Sequence, residues 1–271
     1  MKPYYEHAGV AIYHGDCREV LPVLPRLYCE TCGCVLEDEQ IGAIHLVSKH
    51  RVRPFVDVSI TDPPYSEHIH EKQWIGHALT AQRAARCATN FQELGFDPLS
   101  EQLRQFIACQ LAALCCRWVL VFTDLEGIHH WKASFATSGL QYVRTAIWDK
   151  VDSAPQFTGD RPASAAEAIV CVHREGQKRW NGGGQRNVFR YPVNGSTGAK
   201  PHPTTKPQGL MCALVKLFSD PGELILDAFS GSGSTLLAAK KLGRRAIGIE
   251  IEEKYCEIAA KQLSQEVLQF G

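Results

Sequence analysis

Asp62-Pro63-Pro64-Tyr65 places a carboxylate, two rigid residues and an aromatic ring directly after the strand-forming run "VDVSIT". Neither proline can donate to a sheet ladder, and each biases the residue before it away from helix. A strand must therefore stop here, at a corner stiff enough to grip a ligand. The alternative is a plain strand-to-loop turn carrying a surface tyrosine. A second stretch, "ILDAFSGSGSTLLAAKKLGRRAIGIEIEEKY", carries different chemistry. A strand over 223–228 ends at Asp227, Gly231 and Gly233 follow, and a helix begins at about Ser234. Glycines in such a turn let backbone amides approach a ligand closely. A second strand ends at Glu250, where an acid can hold a ribose diol. The arrangement suits a nucleoside-containing cofactor. Leu236 stands where a dinucleotide fingerprint has its third glycine, and no Walker lysine follows, so an NTP phosphate loop does not fit.

A third set is metal-ligating. Cys29, Cys32, His45 and His50 follow the spacing Cys-x2-Cys-x12-His-x4-His, that of a two-Cys-two-His zinc finger. A helix over 37–50 would place the two imidazoles about a turn apart. Cys34 is a rival ligand, and Gly42 stands where the finger's small core usually has a leucine. The alternative is a loop that happens to hold these four residues. A structural or docking role for this insert, residues 26–53, is as consistent with its charges as base reading.

These residues need a scaffold. Residues 9–14, 54–61, 117–123, 141–148, 167–173, 223–228 and 244–250 read as strands, and "RWVLVFT" as one buried on both faces. Helices are expected over 98–115 behind a Ser100 cap, 125–137, 207–218, 233–242 and from about 252. Strands alternating with helices imply a mostly parallel sheet covered on both faces.

The 271 residues suit one large α/β domain. Eleven cysteines, many in apolar stretches, read as reduced thiols of a cytoplasmic protein. No apolar run or leader pattern points to a membrane or to secretion. Net charge is zero, yet residues 172–206 hold seven cations against Glu175 alone, a local +6. That stretch reads as a phosphate-binding face or as a solvated loop.

Taken in order, four elements resemble one family. They are "YHGDCREVLPVLP" (13–25), Asp62-Pro63-Pro64-Tyr65, "KPHPTTKP" (200–207) and Phe229-Ser230-Gly231-Ser232-Gly233. The chain is similar to the β-ordered DNA amino-methyltransferases that use S-adenosylmethionine. The resemblance implies a Rossmann-like, seven-stranded sheet in circularly permuted order, with the catalytic half before the cofactor half. It implies that Phe229, Ser230, Gly231, Ser232 and Gly233 line the cofactor site, that Asp227 and Glu250 complete it, and that Asp16 meets the adenine edge. Lys206 would reach the methionine carboxylate.

The same resemblance implies a flipped base in double-stranded DNA as substrate. Asp62 and the Pro63 carbonyl would accept hydrogen bonds from the exocyclic amine, and Tyr65 would stack on the base. No cysteine takes a catalytic role. Family members with Asp before the prolines mostly methylate adenine N6, so adenine is favoured. Cytosine N4, RNA adenine N6, and a zinc-dependent binding module without activity are the alternatives. Residues 150–200 form the expected target-recognition region. It is short, which suits a short or loosely defined site or a homodimer that shares recognition.

Overall fold

The structure is a computed structural model, and it describes residues 1–31, 34–36, 51–64, 99–153, 155, 159–193 and 205–265. Among these, nine strands form one sheet in the order β1-β2-β12-β11-β6-β7-β9-β8-β10. The strands are β1 (Tyr5–His7), β2 (Val10–His14), β6 (Val58–Thr61), β7 (Trp118–Thr123), β8 (Gln141–Asp149), β9 (Ala166–His173), β10 (Val188–Arg190), β11 (Leu224–Asp227) and β12 (Arg245–Glu250). The run from β2 to β7 is parallel throughout. β9 is antiparallel to both β7 and β8, so its first residues lie beside the last residues of β7.

The sheet exceeds the expected seven strands at its edges. β1 folds onto β2 through Ala8 and Gly9, both at positive φ, as a two-residue hairpin demands. β10 joins β8 through three residues that follow a glycine-rich loop. Elements this short leave no periodic signal.

Alternation along the strands divides the core. Trp118, Leu120 and Phe122 of β7 face one layer, and Val119 and Val121 face the other. The first layer packs on α4 (Gln208–Phe218), α5 (Ser234–Lys241) and α6 (Glu253–Ser264). The second packs on α1 (Cys17–Val23), α2 (Glu101–Leu114) and α3 (Ile128–Ser138). Each fully buried Leu or Ile contributes roughly 1.5–3 kcal/mol. Ser100 caps α2 as expected, its side chain accepting from Leu103 N. α1 is an element that sequence reading passed over, because Pro22 lies inside it. Among the described residues no helix is long and apolar enough to cross a membrane.

The insert contributes a separate antiparallel sheet of β3 (Leu27–Cys29), β4 (Val35–Leu36) and β5 (Val52–Pro54), in the order β4-β3-β5. The helix expected over 37–50 lies outside the described residues. Arg53 ties this sheet to the main one: its guanidinium pairs with Glu30 at 3.1 Å and Asp57 at 3.0 Å and lies over the Tyr28 ring. Asp57 precedes β6, so this anchor sits at the end of the sheet opposite Asp62. Arg53 is therefore engaged by two carboxylates and the Tyr28 ring within the fold.

Candidate active site

Four parallel strands deliver the predicted residues to one edge, their carboxyl ends, where open α/β sheets bind ligands. Asp62 follows β6, Asp227 ends β11, Glu250 ends β12, and Gly15-Asp16 follows β2. Because β6 and β11 are direct neighbours, the Asp-Pro-Pro corner and the glycine loop sit side by side. Pro63 is buried and Asp62 and Pro64 are half-buried, while Tyr65 lies outside the described residues.

Around the glycine loop, Asp227 is buried and its carboxylate accepts from Thr235 Oγ1 at 2.5 Å and Phe229 N at 3.1 Å. Burial pushes its pKa up to about 6, against the pull of those hydrogen bonds. Glu250 accepts from Gly231 N at 2.8 Å and Glu252 N at 2.9 Å, and burial raises its pKa as well. Gly233 caps α5 at φ 85°, and a Cβ there would lie 2.8 Å from the Ala259 Cβ. A Cβ on Gly231 would meet nothing within 4 Å, so the loop faces open space at that point. The glycine amides, the open space beside them and the neighbouring Glu250 carboxylate fit a nucleoside cofactor. Ser230 departs from the rest of the loop. Its buried side chain turns inward toward Gly248, and its hydroxyl has no partner among the described residues. Phe229 is half-buried and packs against the layer that holds α1.

Asp16 caps α1, accepting from Arg18 N at 2.8 Å and pairing with the Arg18 side chain. Gly15 N donates to the Glu250 carbonyl at 2.9 Å, so Asp16 is held next to the end of β12.

Lys206 lies between two carboxylates. Its Nζ lies 2.5 Å from Asp62 Oδ2 and 3.2 Å from Glu167 Oε2, with the faces of Phe122 and Trp148 at 5.0 and 5.9 Å. Glu167 in turn meets Lys150 Nζ at 2.5 Å. Burial alone would lower the Lys206 pKa, but the two carboxylates outweigh it and the net shift is upward. Lys206 thus meets the Asp62 carboxylate beside the Asp-Pro-Pro corner, a contact that sequence reading did not anticipate. Thr205, just before it, contacts Ser232 Oγ at 3.1 Å and joins this segment to the glycine loop. Glu167 and Lys150 escaped sequence reading. The available signal was a lone acid in the apolar strand "AEAIVCV".

The basic stretch does not form one face. Arg174 follows β9 at the far end of the sheet, where its guanidinium donates to the carbonyls of Cys115, at 3.0 Å, and Ala112. Arg179 pairs there with Asp220. Arg190 lies at the site end and pairs with Asp149 at 2.8 Å. Lys200 lies outside the described residues.

Of the four zinc-ligand candidates only Cys29 is described. It is buried on β3, and its amide donates to the Cys34 carbonyl at 2.9 Å. Cys32, His45 and His50 lie outside the described residues, and among the described residues no group of three or more His, Cys, Asp or Glu side chains could hold a metal.

An open α/β sheet with a glycine turn and strand-end acids has the layout of the nucleoside-cofactor proteins, here with an Asp-Pro-Pro corner beside the turn. The N6/N4 methyltransferase family model, described as DNA methylase, matches residues 56–261, and the chain belongs to that family. Type II methyltransferase M.HinfI of Haemophilus influenzae is 26% identical over 242 residues, covering 78% of this chain and 63% of the relative. Type II methyltransferase M2.DpnII of Streptococcus pneumoniae is 27% identical over 169 residues, covering 55% and 60%. The chain thus spans less than two thirds of the length of these relatives. Among solved structures, M1.HpyAVI in complex with SAM superposes with a TM-score of 0.63 at 22% identity, covering 94% of this chain and all of that one. The cytosine-N4-specific PvuII DNA methyltransferase superposes with a TM-score of 0.67 at 15% identity, covering 99% and 91%. These two show the fold.

Proposed function

We propose that this chain transfers a methyl group from S-adenosylmethionine to the exocyclic amine of a base flipped out of double-stranded DNA, with adenine N6 favoured. The observation that carries the reading is the adjacency of β6 and β11, which sets the Asp62 carboxylate beside the glycine loop. Family membership supports it.

S-adenosylmethionine supplies an electrophilic methyl group on a sulfonium. The chain's own residues supply binding and orientation. Gly231, Gly233 and Glu250 hold the nucleoside, Glu250 at the ribose, with Asp227, Phe229 and Ser232 around them and Asp16 toward the adenine. An exocyclic amine is a weak nucleophile because its lone pair is delocalised into the ring. Asp62 accepts one N–H and the Pro63 carbonyl the other, which favours a pyramidal nitrogen with its lone pair directed at the methyl carbon. The prolines hold that carbonyl in place before the base arrives, so little reorganisation is needed. Tyr65 stacks on the base, which only a flipped nucleotide can reach. Catalysis is then mainly positioning.

Cytosine N4 is the second reading, because the PvuII enzyme, described as cytosine-N4-specific, shares the fold. Incubating the protein with labelled S-adenosylmethionine and unmethylated duplex DNA, then identifying nucleosides by mass spectrometry, separates the two. N6-methyladenine from wild type and none from Asp62→Ala supports the first reading. N4-methylcytosine moves the proposal to the second, and no product from duplex DNA refutes both.

Zinc at Cys29, Cys32, His45 and His50 is proposed on spacing alone. Metal analysis of purified protein is expected to find one zinc per chain and its loss in Cys32→Ser. Wild-type protein without zinc would refute it.

A further inference from the structure

Four charges of alternating sign meet at the catalytic corner: Asp62, Lys206, Glu167 and Lys150. Successive contacts are 2.5, 3.2 and 2.5 Å. They come from four separate pieces of chain, the ends of β6 and β8, the start of β9, and the segment before α4. Lys206 and Glu167 are buried, and aromatic faces flank the ammonium. Asp227 is the further carboxylate whose field reaches Asp62. A buried ion pair is a weak source of stability, since apolar residues of the same volume do as well or better. A second acid drawn from a different strand onto the same lysine thus calls for another explanation than stability.

That explanation lies in what each partner does to the next. An ammonium held by Asp62 alone would turn with that carboxylate and draw its charge away from a substrate amine. With Glu167 as a second anchor, Lys206 is fixed relative to β9, and its charge is divided between two carboxylates. Lys150 fixes Glu167 in the same way. Asp62 is thereby oriented through Oδ2 while remaining a strong acceptor.

We infer that Glu167, supported by Lys150, is a positioning residue for methyl transfer, acting through Lys206 to set the orientation and acceptor strength of Asp62. This rests on the proposed amine methylation. It also moves Lys206 from cofactor binding to the transfer step, so each variant has a distinct kinetic signature.

The test measures S-adenosylmethionine affinity by titration calorimetry and methyl transfer to duplex DNA in single turnover at saturating cofactor. Glu167→Gln keeps the size and removes the charge. It is expected to slow transfer about tenfold to a hundredfold, the range for a misplaced reacting group, while cofactor Kd stays within about twofold. Glu167→Asp restores part of the rate. In a Lys206→Met background, Glu167→Gln has no further effect, because its influence passes through the lysine. If Glu167→Gln shows no cooperative melting, Lys150→Met takes its place with the same expected split.

An active wild type with Glu167→Gln, or Lys150→Met in its place, at the wild-type rate overturns the inference alone. So does Lys206→Met that weakens cofactor binding about tenfold or more while keeping the saturated rate. Wild type that binds S-adenosylmethionine and methylates no DNA overturns the functional reading and this inference with it.

Discussion

Leu236 on α5 occupies the space that a side chain at Gly248 on β12 would need. A Cβ built on Gly248 would lie 2.6 Å from Leu236 Cδ1 and 2.9 Å from Ser230 Cβ. In a dinucleotide fingerprint the helix carries the glycine that allows close helix–strand packing. Here the strand carries it and the helix carries the bulk, so the loop can pack tightly without a third glycine. Gly248→Ala is expected to lower unfolding free energy by about 1–3 kcal/mol, the range for overpacking a close contact. Leu236→Ala/Gly248→Ala should cost less than the sum of the single changes. Urea denaturation of the three variants measures this, and strict additivity would contradict the contact.

Glu250 touches the glycine loop directly, accepting from the Gly231 amide and also from that of Glu252. Glu250→Ala removes both acceptors and the group proposed for the ribose. Hydrogen bonds to charged groups are worth about 1.5–3 kcal/mol each, so cofactor Kd should rise at least tenfold. Calorimetry checks it, and unchanged affinity would remove Glu250 from the binding site.

Asp227 makes stability depend on pH. Its pKa is raised from 3.8 to about 6 by burial. The folded state therefore holds the proton more tightly than the unfolded chain. The resulting stability is fully present below about pH 4 and is lost as pH rises through about 6. Unfolding free energies of wild type and Asp227→Asn, compared from pH 4 to 7, should diverge against wild type by on the order of 2–3 kcal/mol. A difference that does not vary with pH would show that Asp227 titrates normally.

Arg174 tests how the basic stretch is divided. Its guanidinium donates to backbone carbonyls at the far end of the sheet. Arg174→Ala should destabilise the fold by about 1–3 kcal/mol, the cost of leaving buried acceptors unmet. DNA affinity and its salt dependence should not change. A reduced salt slope in binding titrations would instead place Arg174 on phosphate.

Most of the central sheet was legible because its strands are continuous apolar runs bounded by turn residues. β7, buried on both faces, and β12, ending on its acid, follow that rule. α2 and its Ser100 cap followed from periodicity and one side chain. β1, β10 and α1 were not legible. The first two are three residues long and exist through pairing, and the third contains a proline that sequence reading takes as a break.

The sequence by itself determined the chemical groups and the order in which they occur. Asp62 must stand at a rigid corner because two prolines follow it, and Gly231 and Gly233 must make a turn because they adopt positive φ at little cost. Local bonding rules settle such features within a few residues. Only the tertiary structure decided which groups meet. The antiparallel course of β9 brings Glu167 to the site end of the sheet and carries Arg174 to the other. Asp62 and Lys206, 144 positions apart in the chain, close to a 2.5 Å contact through strand pairing and burial. Long-range pairing depends on the combined packing of the whole sheet, and no spacing along the chain encodes it.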